Sequence, residues 1–484
     1  MLTNKVLKSL KIYEDFNAKI FTYDRTDNSD IFLFFTFFVL RYKQLIHNYY
    51  AEKDSKDGDF VFKKEEAEMW EKSSNHEFNL LTNFKKHTSP STFINVVKKL
   101  LKYYPEVLNN KNVNIIKIIK IGLWVNDKDG YTALFSLKEE LFQLFTSSKN
   151  TSYEALLFND VILELASKVN REQFSTHKEL NSIVANLLKG RGVKSIYDPA
   201  CGSASLLVES AANSEEKIML YGQDNEEKLV LFAELNTILA GLDAHFRVQD
   251  SFKNDNKHYS KVDMVISEPP LFAKELIKLE QEVMREDLQA YSQEQSLHLS
   301  SDEVFILNMS RRLKQTGLMI LILPHNILYK EGEEKVYRQE IVAHYNSLDA
   351  IIVPTLKDGK RILNNYVISV YRPGRNSYDP QSKKIKKLAT DIMMINDING
   401  NELTPESIAD IYLNKQEIPG ISRIVSQEEI VSNDYNLNTS LYLHQERDAE
   451  GSIPEMLAEI NLLEQEQKKV QSQLETALKY LSKT

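Results

Sequence analysis

The strongest constraint on this chain is a rhythm that begins near residue 190. Short apolar runs there alternate with helix-like segments. The runs are SIYDPACGS (195–203), IMLYGQD (218–224), KVDMVISEPP (261–270), LMILILP (318–324), SLDAIIVPT (347–355) and YVISVYRP (366–373). Between them, residues 226–241 (EEKLVLFAELNTILAG) and 302–315 (DEVFILNMSRRLKQ) carry helical patterns. Runs such as LMILILP have no polar face, so they belong inside a sheet covered on both sides. Apolar strands alternating with amphipathic helices predict an α/β fold with a parallel, doubly wound sheet. In such a sheet, ligands sit beyond the C-terminal ends of the strands. The polar residues that end these runs are therefore the ones that matter for function.

The rest of the chain reads differently. Residues 1–150 have no Pro or Gly clusters and several helix-like stretches, among them 62–72 and 91–104. They predict a mostly helical N-terminal domain. The apolar run 31–40 (IFLFFTFFVL) is too short to span a bilayer, which takes roughly 20 residues, and predicts a buried helix. The opening MLTNKVLKSLKIYEDF lacks the pattern of a signal peptide, so a cytoplasmic protein without a membrane segment is expected. Near the end, Met456, Ile460, Leu463, Gln467, Val470, Leu474, Ala477 and Leu481 follow a heptad seam. They predict a coiled-coil-like tail over 446–484 that packs on a partner, a second copy or its own domain.

Charge and cysteine usage narrow the chemistry. The net charge of −9 does not suit a chain that holds DNA unaided, because phosphate contacts need clustered Lys and Arg. A single cysteine, Cys201, excludes an intrachain disulfide and a cysteine-rich metal site. No metal is expected.

Four strand ends stand out. Asp198-Pro199-Ala200-Cys201-Gly202-Ser203 turns a strand into a helical run of small residues, and Gly202 lets backbone approach a ligand. Gly222-Gln223-Asp224 puts an acid where dinucleotide-type folds hold ribose hydroxyls. Val248-Gln249-Asp250-Ser251 ends another possible strand in an acid. Taken singly, these are also ordinary turns and helix caps. Val265-Ile266-Ser267-Glu268-Pro269-Pro270-Leu271-Phe272 is less common. Its prolines stiffen the loop and remove two backbone donors, which leaves carbonyls free to accept.

Together these motifs resemble the series found in adenine-N6 DNA methyltransferases, and their order resembles the modification (M) subunits of type I restriction–modification systems. DPACGS is similar to the family's cofactor loop, and SEPPLF stands where the family has Asn-Pro-Pro and an aromatic residue. QFSTHKEL (173–180) precedes the loop as the family's Phe/Thr segment does. LMILILPHNI and the segment Asp434-Tyr435-Asn436-Leu437-Asn438 extend the resemblance, which covers roughly residues 150–484.

The resemblance implies a helical N-terminal domain (1–150) and a Rossmann-like methyltransferase core (151–375) dependent on S-adenosyl-L-methionine (AdoMet). A mixed segment (376–445) and the helical tail (446–484) would follow. Gln173, Phe174, Ser175, Thr176, His177 and Lys178 would line the cofactor pocket. Asp198, Pro199, Ala200, Cys201, Gly202, Ser203, Ala204 and Ser205 would wrap its methionine part. Asp224 would hold the ribose, and Asp250 would lie near the adenine. Glu268, Pro269, Pro270, Leu271 and Phe272 would meet the flipped target base. The implied partners are double-stranded DNA, a specificity (S) subunit shared by two M subunits, and a restriction (R) subunit.

The chain departs from the pattern at several positions. Glu268 replaces Asn and is one methylene longer than the Asp of some relatives. Leu271 replaces the aromatic, with Phe272 one place late. Ala204, mild at a helix start, and Ser205 stand where Gly is usual. The alternative reading is therefore an M-like subunit that keeps the fold without the reaction. Methylation of RNA or of a protein glutamine reuses the same proline theme, but the 434–438 segment and the tail favour the type I family.

Overall fold

The computed structural model describes residues 2–20, helical pieces within 32–41 and 136–144, residues 154–168, and most of 178–443. The longest gaps inside that last stretch are 252–260 and 270–308. The expected helices at 62–72 and 91–104, site residues 173–177 and 270–272, and the tail 446–484 lie outside the described residues.

Nine strands form one sheet: β1 (Ser195–Asp198), β2 (Met219–Asp224), β3 (Ala244–Val248), β4 (Val262–Ser267), β5 (Leu313–Pro324), β6 (Leu348–Val353), β7 (Tyr366–Tyr371), β8 (Ile392–Asn396) and β9 (Ser422–Val425). Their spatial order is β9-β8-β6-β7-β5-β4-β1-β2-β3. The β1–β5 half is parallel throughout, as expected. The other half is not. Strand β7 runs antiparallel between β5 and β6, and β9 is antiparallel to β8. The reason is connection length. Only residues 354–365, with a small hairpin, separate β6 from β7, so there is no crossover helix to carry the chain back. Strands β8 and β9, from the stretch read as a mixed C-terminal segment, continue the same sheet.

A second departure concerns residues 313–315. They were expected to end a helix, but β5 already begins at Leu313. Residues 314–316 are exposed, and the register with β4 shifts between Val262 and Met264. Gly317 makes this irregularity possible. A Cβ there would lie 2.6 Å from the Leu313 side chain and 2.8 Å from the Asp263 carbonyl.

The helices are α1 (Leu2–Ile20), α2 (Glu154–Lys168), α3 (Lys178–Leu187), α4 (Ser205–Ala212), α5 (Glu227–Ala240), α6 (Glu333–Gln339), α7 (Pro405–Leu413) and α8 (Gln427–Ser432); α1 packs on α2, and α2 packs on α4 and α5. The alternation of each strand splits the core in two. Ile196, Ile266, Ile320 and Ile322 pack with Leu180, Val184, Leu207 and Ile411 from α3, α4 and α7 on one face. Val265, Met319, Leu321 and Leu323 pack with Tyr337, Ile430, Leu437 and Tyr442 on the other. Burying a Leu or Ile side chain is worth about 1.5–3 kcal/mol, which is why a strand as apolar as β5 lies near the centre of the sheet. The described residues of the apolar run at 31–40 are helical and buried, as expected, with Phe32 against Tyr13 of α1 and Phe37 against Phe158 of α2. Among the described residues no helix is long and apolar enough to cross a membrane.

At the N-terminal edge of the sheet, Asp349 of β6 ties the later segment to the core. Its carboxylate takes Arg375 at 2.9 Å, the Tyr412 hydroxyl at 2.6 Å and Lys415 at 3.3 Å. Arg372 stands 3.4 Å away. The Lys415 ammonium and the Arg191 guanidinium also stand over the Tyr412 ring, 4.4 and 5.6 Å from its centroid.

Candidate active site

Parallel strands β1, β2 and β4 end side by side, so Asp198, Asp224 and Ser267-Glu268 arrive at the same edge. From β1 the chain turns into a loop whose shape is set by hydrogen bonds. The Asp198 carboxylate accepts from the Ala200 amide at 3.0 Å and from the Ser267 hydroxyl at 2.8 Å. The Cys201 amide donates to the Gln223 carbonyl at 2.9 Å, and the Gly202 amide to the Asp224 carboxylate at 3.0 Å. Ser251, just past β3, donates to the Pro199 carbonyl and accepts from the Gln223 amide at 2.8 Å. Behind the loop, Asn236 of α5 donates to the Ser203 carbonyl at 3.1 Å and to Asn159 of α2 at 2.9 Å. Gly222 completes the cradle. A Cβ there would lie 2.7 Å from the Phe246 ring and 3.0 Å from the Cys201 sulfur.

The site is acidic. Asp198 is 2% exposed. Burial pushes its carboxyl up to about 7, and Asp224 and Glu268 add to the rise, while the Ala200 and Ser267 hydrogen bonds oppose it. Burial also raises Asp224, against the amides of Glu226, Gly202 and Asn225. Among the described residues no Lys or Arg forms an ion pair with Asp198 or Asp224. Burial pushes the Cys201 thiol up, so it is a packing group, not a nucleophile. Uncompensated carboxylates at strand ends beside a tight loop suit a ligand that is cationic at one end and carries hydroxyls at the other. Such a donor set fits AdoMet, with its sulfonium, ammonium and ribose.

The structure brings Asp198–Ser205, Asp224 and Glu268-Pro269 to this edge, with Asp250 at the end of β3. Lys178 opens α3 and forms an ion pair with Asp160 of α2 at 2.5 Å. Ala204 differs from expectation. It is not the start of a helix but sits at φ 61°, in the left-handed region. Its amide closes a turn on the Cys201 carbonyl at 2.7 Å before α4 begins at Ser205. For a residue with a Cβ this conformation costs roughly 1–2 kcal/mol, which explains why Gly is usual there. The sequence reading missed Ser251, Ser267, Asn159 and Asn236. Ser251 and Ser267 adjoin the motif residues Asp250 and Glu268, and that adjacency was the available signal. Nothing in the sequence paired the two asparagines, which lie 77 residues apart. A cavity of about 360 Å³ lined by Lys189, Arg191, Ser210 and Glu216 opens at the opposite edge, and none of the strand-end acids borders it.

Comparison with known proteins agrees with this geometry. The N-6 DNA methylase family model matches residues 152–451. Among curated proteins, the chain is 29% identical over 329 residues to the type I restriction enzyme MjaVII methylase subunit of Methanocaldococcus jannaschii, covering 63% of this chain and 55% of that one. It is 26% identical over 422 residues to the MjaVIII methylase subunit of the same organism, covering 78% and 68%. The chain thus spans between about half and two thirds of the length of these relatives. Its fold is similar to a type I restriction–modification methyltransferase subunit of Streptococcus thermophilus, with TM-score 0.64, 16% identity, and coverage of 92% of this chain and all of that one.

Proposed function

Because this chain belongs to the N-6 DNA methylase family, we propose that it is the modification subunit of a type I restriction–modification system, methylating adenine N6 in double-stranded DNA. The observation that carries this reading is the pair of strand-end carboxylates, Asp198 and Asp224, which hold the 198–205 loop without an ion pair to Lys or Arg among the described residues, with Glu268 arriving at the same edge. AdoMet, when bound, supplies an electrophilic methyl group. Asp198 offers negative charge to the cationic part of that cofactor, and the buried loop excludes water around it. Asp224, anchored by the Gly202 and Glu226 amides at 3.0 and 2.9 Å, keeps lone pairs for the ribose hydroxyls.

Glu268 and the Pro269 carbonyl accept hydrogen bonds from the exocyclic amine of the target adenine, raising electron density on its nitrogen. Ser267 joins this loop to Asp198, so the amine site and the cofactor loop hold a fixed spacing. The remaining residues of the carried-over site, Gln173–Lys178, Asp250 and Pro270–Phe272, complete the pocket in this reading. The target base reaches it by flipping out of the duplex.

The assembly belongs to the same proposal. A chain of net charge −9 grips DNA through a specificity subunit, two copies per S subunit, with the 446–484 seam as the dock. An R subunit would add cleavage. The test is expression with the neighbouring S subunit in a host free of adenine methylation, followed by long-read mapping of N6-methyladenine. Methylation at one recurring sequence is expected. A blank map that turns positive for the Glu268→Asn/Leu271→Phe variant would replace this reading with a non-catalytic M-like subunit.

A further inference from the structure

A flipped base needs an aromatic face to rest on, and the loop after β4 carries Leu271 where relatives stack one. The neighbouring strand offers a substitute. Strands β4 and β5 run parallel with Ser267 beside Leu321, so Pro269 is level with Leu323 and the chain after Pro324 emerges beside the amine loop. There His325–Leu328 forms one 3-10 turn, followed by Tyr329. Tyr329 is 45% exposed, and its ring meets His325 edge-on, 5.8 Å between centroids. Burial lowers the pKa of His325, so its ring is neutral near pH 7.

The backbone around this pair is held from behind. The buried guanidinium of Arg338 donates to the carbonyls of Ile327 at 2.9 Å, Lys330 at 2.8 Å and Tyr435 at 2.8 Å. The Leu437 amide donates to the Leu328 carbonyl at 2.8 Å. Asp434 and Tyr435 reach these positions through two successive left-handed residues, φ 55° and 58°. The 434–438 segment thus braces the β5 loop. Three carbonyls flanking Tyr329 are fixed while nearly half of the residue stays exposed, an arrangement that presents the ring and does not bury it.

We propose that Tyr329, backed by His325, forms the stacking surface for the target base beside Glu268. This rests on the methylation reading but is tested apart from it. The full chain with 3-fluorotyrosine at position 329 is titrated with a single-stranded oligodeoxyadenylate, whose bases stack without an unpairing cost. A fluorine shift that saturates is expected. Tyr329→Ala should weaken the oligonucleotide about tenfold, Tyr329→Phe should restore binding, and AdoMet affinity and melting should match wild type in both. In the methylating complex, Tyr329→Ala should raise KM for DNA more than it lowers kcat. An unshifted fluorine signal, or oligonucleotide affinity equal in wild type and Tyr329→Ala, overturns the stacking surface whether or not the wild type methylates. A saturating shift in a chain that never methylates supports the surface and removes the methylation reading alone.

Discussion

Asp198 and Asp349 are both buried aspartates of one sheet, and they sit at its opposite edges. Asp349 is surrounded by donors. Burial pushes its carboxyl up, but Lys415, the Tyr412 hydroxyl, Arg372 and Arg375 more than offset that and leave it below the usual carboxylate range. Asp198 has hydrogen bonds from Ala200 and Ser267 but no cation partner among the described residues, and its carboxyl stands near 7. Burying a charge costs several kcal/mol unless it is paired. Among the described residues the fold surrounds one aspartate with cations and gives the other only neutral donors, which makes the first a fastener and suits the second to a positively charged ligand. The same burial thus stabilises at one end and stores a binding site at the other.

The largest expected effect is on the fastener. Asp349→Ala strands Arg375, whose side chain is 4% exposed, and should cost about 3–5 kcal/mol of unfolding free energy, read by urea titration. Asp198→Asn should instead leave stability unchanged or higher at pH 8, yet weaken AdoMet by roughly 2 kcal/mol or more, about thirtyfold in a calorimetric Kd. Equal stability losses for the two variants would erase the distinction.

The two carboxylates also predict opposite pH dependence. Asp198, raised in the fold from 3.8 to about 7, favours the folded state when protonated, so its contribution is lost as pH rises from about 4 through 7. Asp349, lowered in the fold, contributes above the unfolded pKa of 3.8, and that contribution is lost as pH falls through its folded value. Melting profiles of Asp198→Asn should therefore lose the wild type's decline between about pH 4 and 7. The smallest expected effect is at Ala204. Ala204→Gly relieves a left-handed residue and should add about 0.5–1 kcal/mol after the entropy cost of glycine. A loss of stability would mean that the left-handed turn carries no strain.

Much of the cofactor edge was legible in the sequence because it consists of contiguous strand ends. Asp198, Asp224 and Glu268 each close an apolar run, and parallel pairing brings such ends together. The antiparallel β7 was not legible, because YVISVY reads as a buried strand in either direction and only the length of its connection decides. The Asp349 network was equally hidden. Its members, Arg372, Arg375, Tyr412 and Lys415, come from a strand end, a loop and a helix with no local pattern to link them. Ala204 was misjudged for a different reason. The small-residue run looks helical, and only the Cys201 carbonyl bond reveals the left-handed turn ahead of it.

The most direct test of the account is AdoMet titration of the full chain by calorimetry at pH 6, in two buffers of different ionisation enthalpy, beside Asp198→Asn. At that pH Asp198, titrating near 7, is mostly protonated, so a cationic ligand must expel its proton. The account predicts close to one proton released by the wild type and none by Asp198→Asn, with weaker binding in the variant. Tight binding without proton release, or identical heats in the two proteins, would contradict the claim that this buried aspartate is where the cofactor's charge is received.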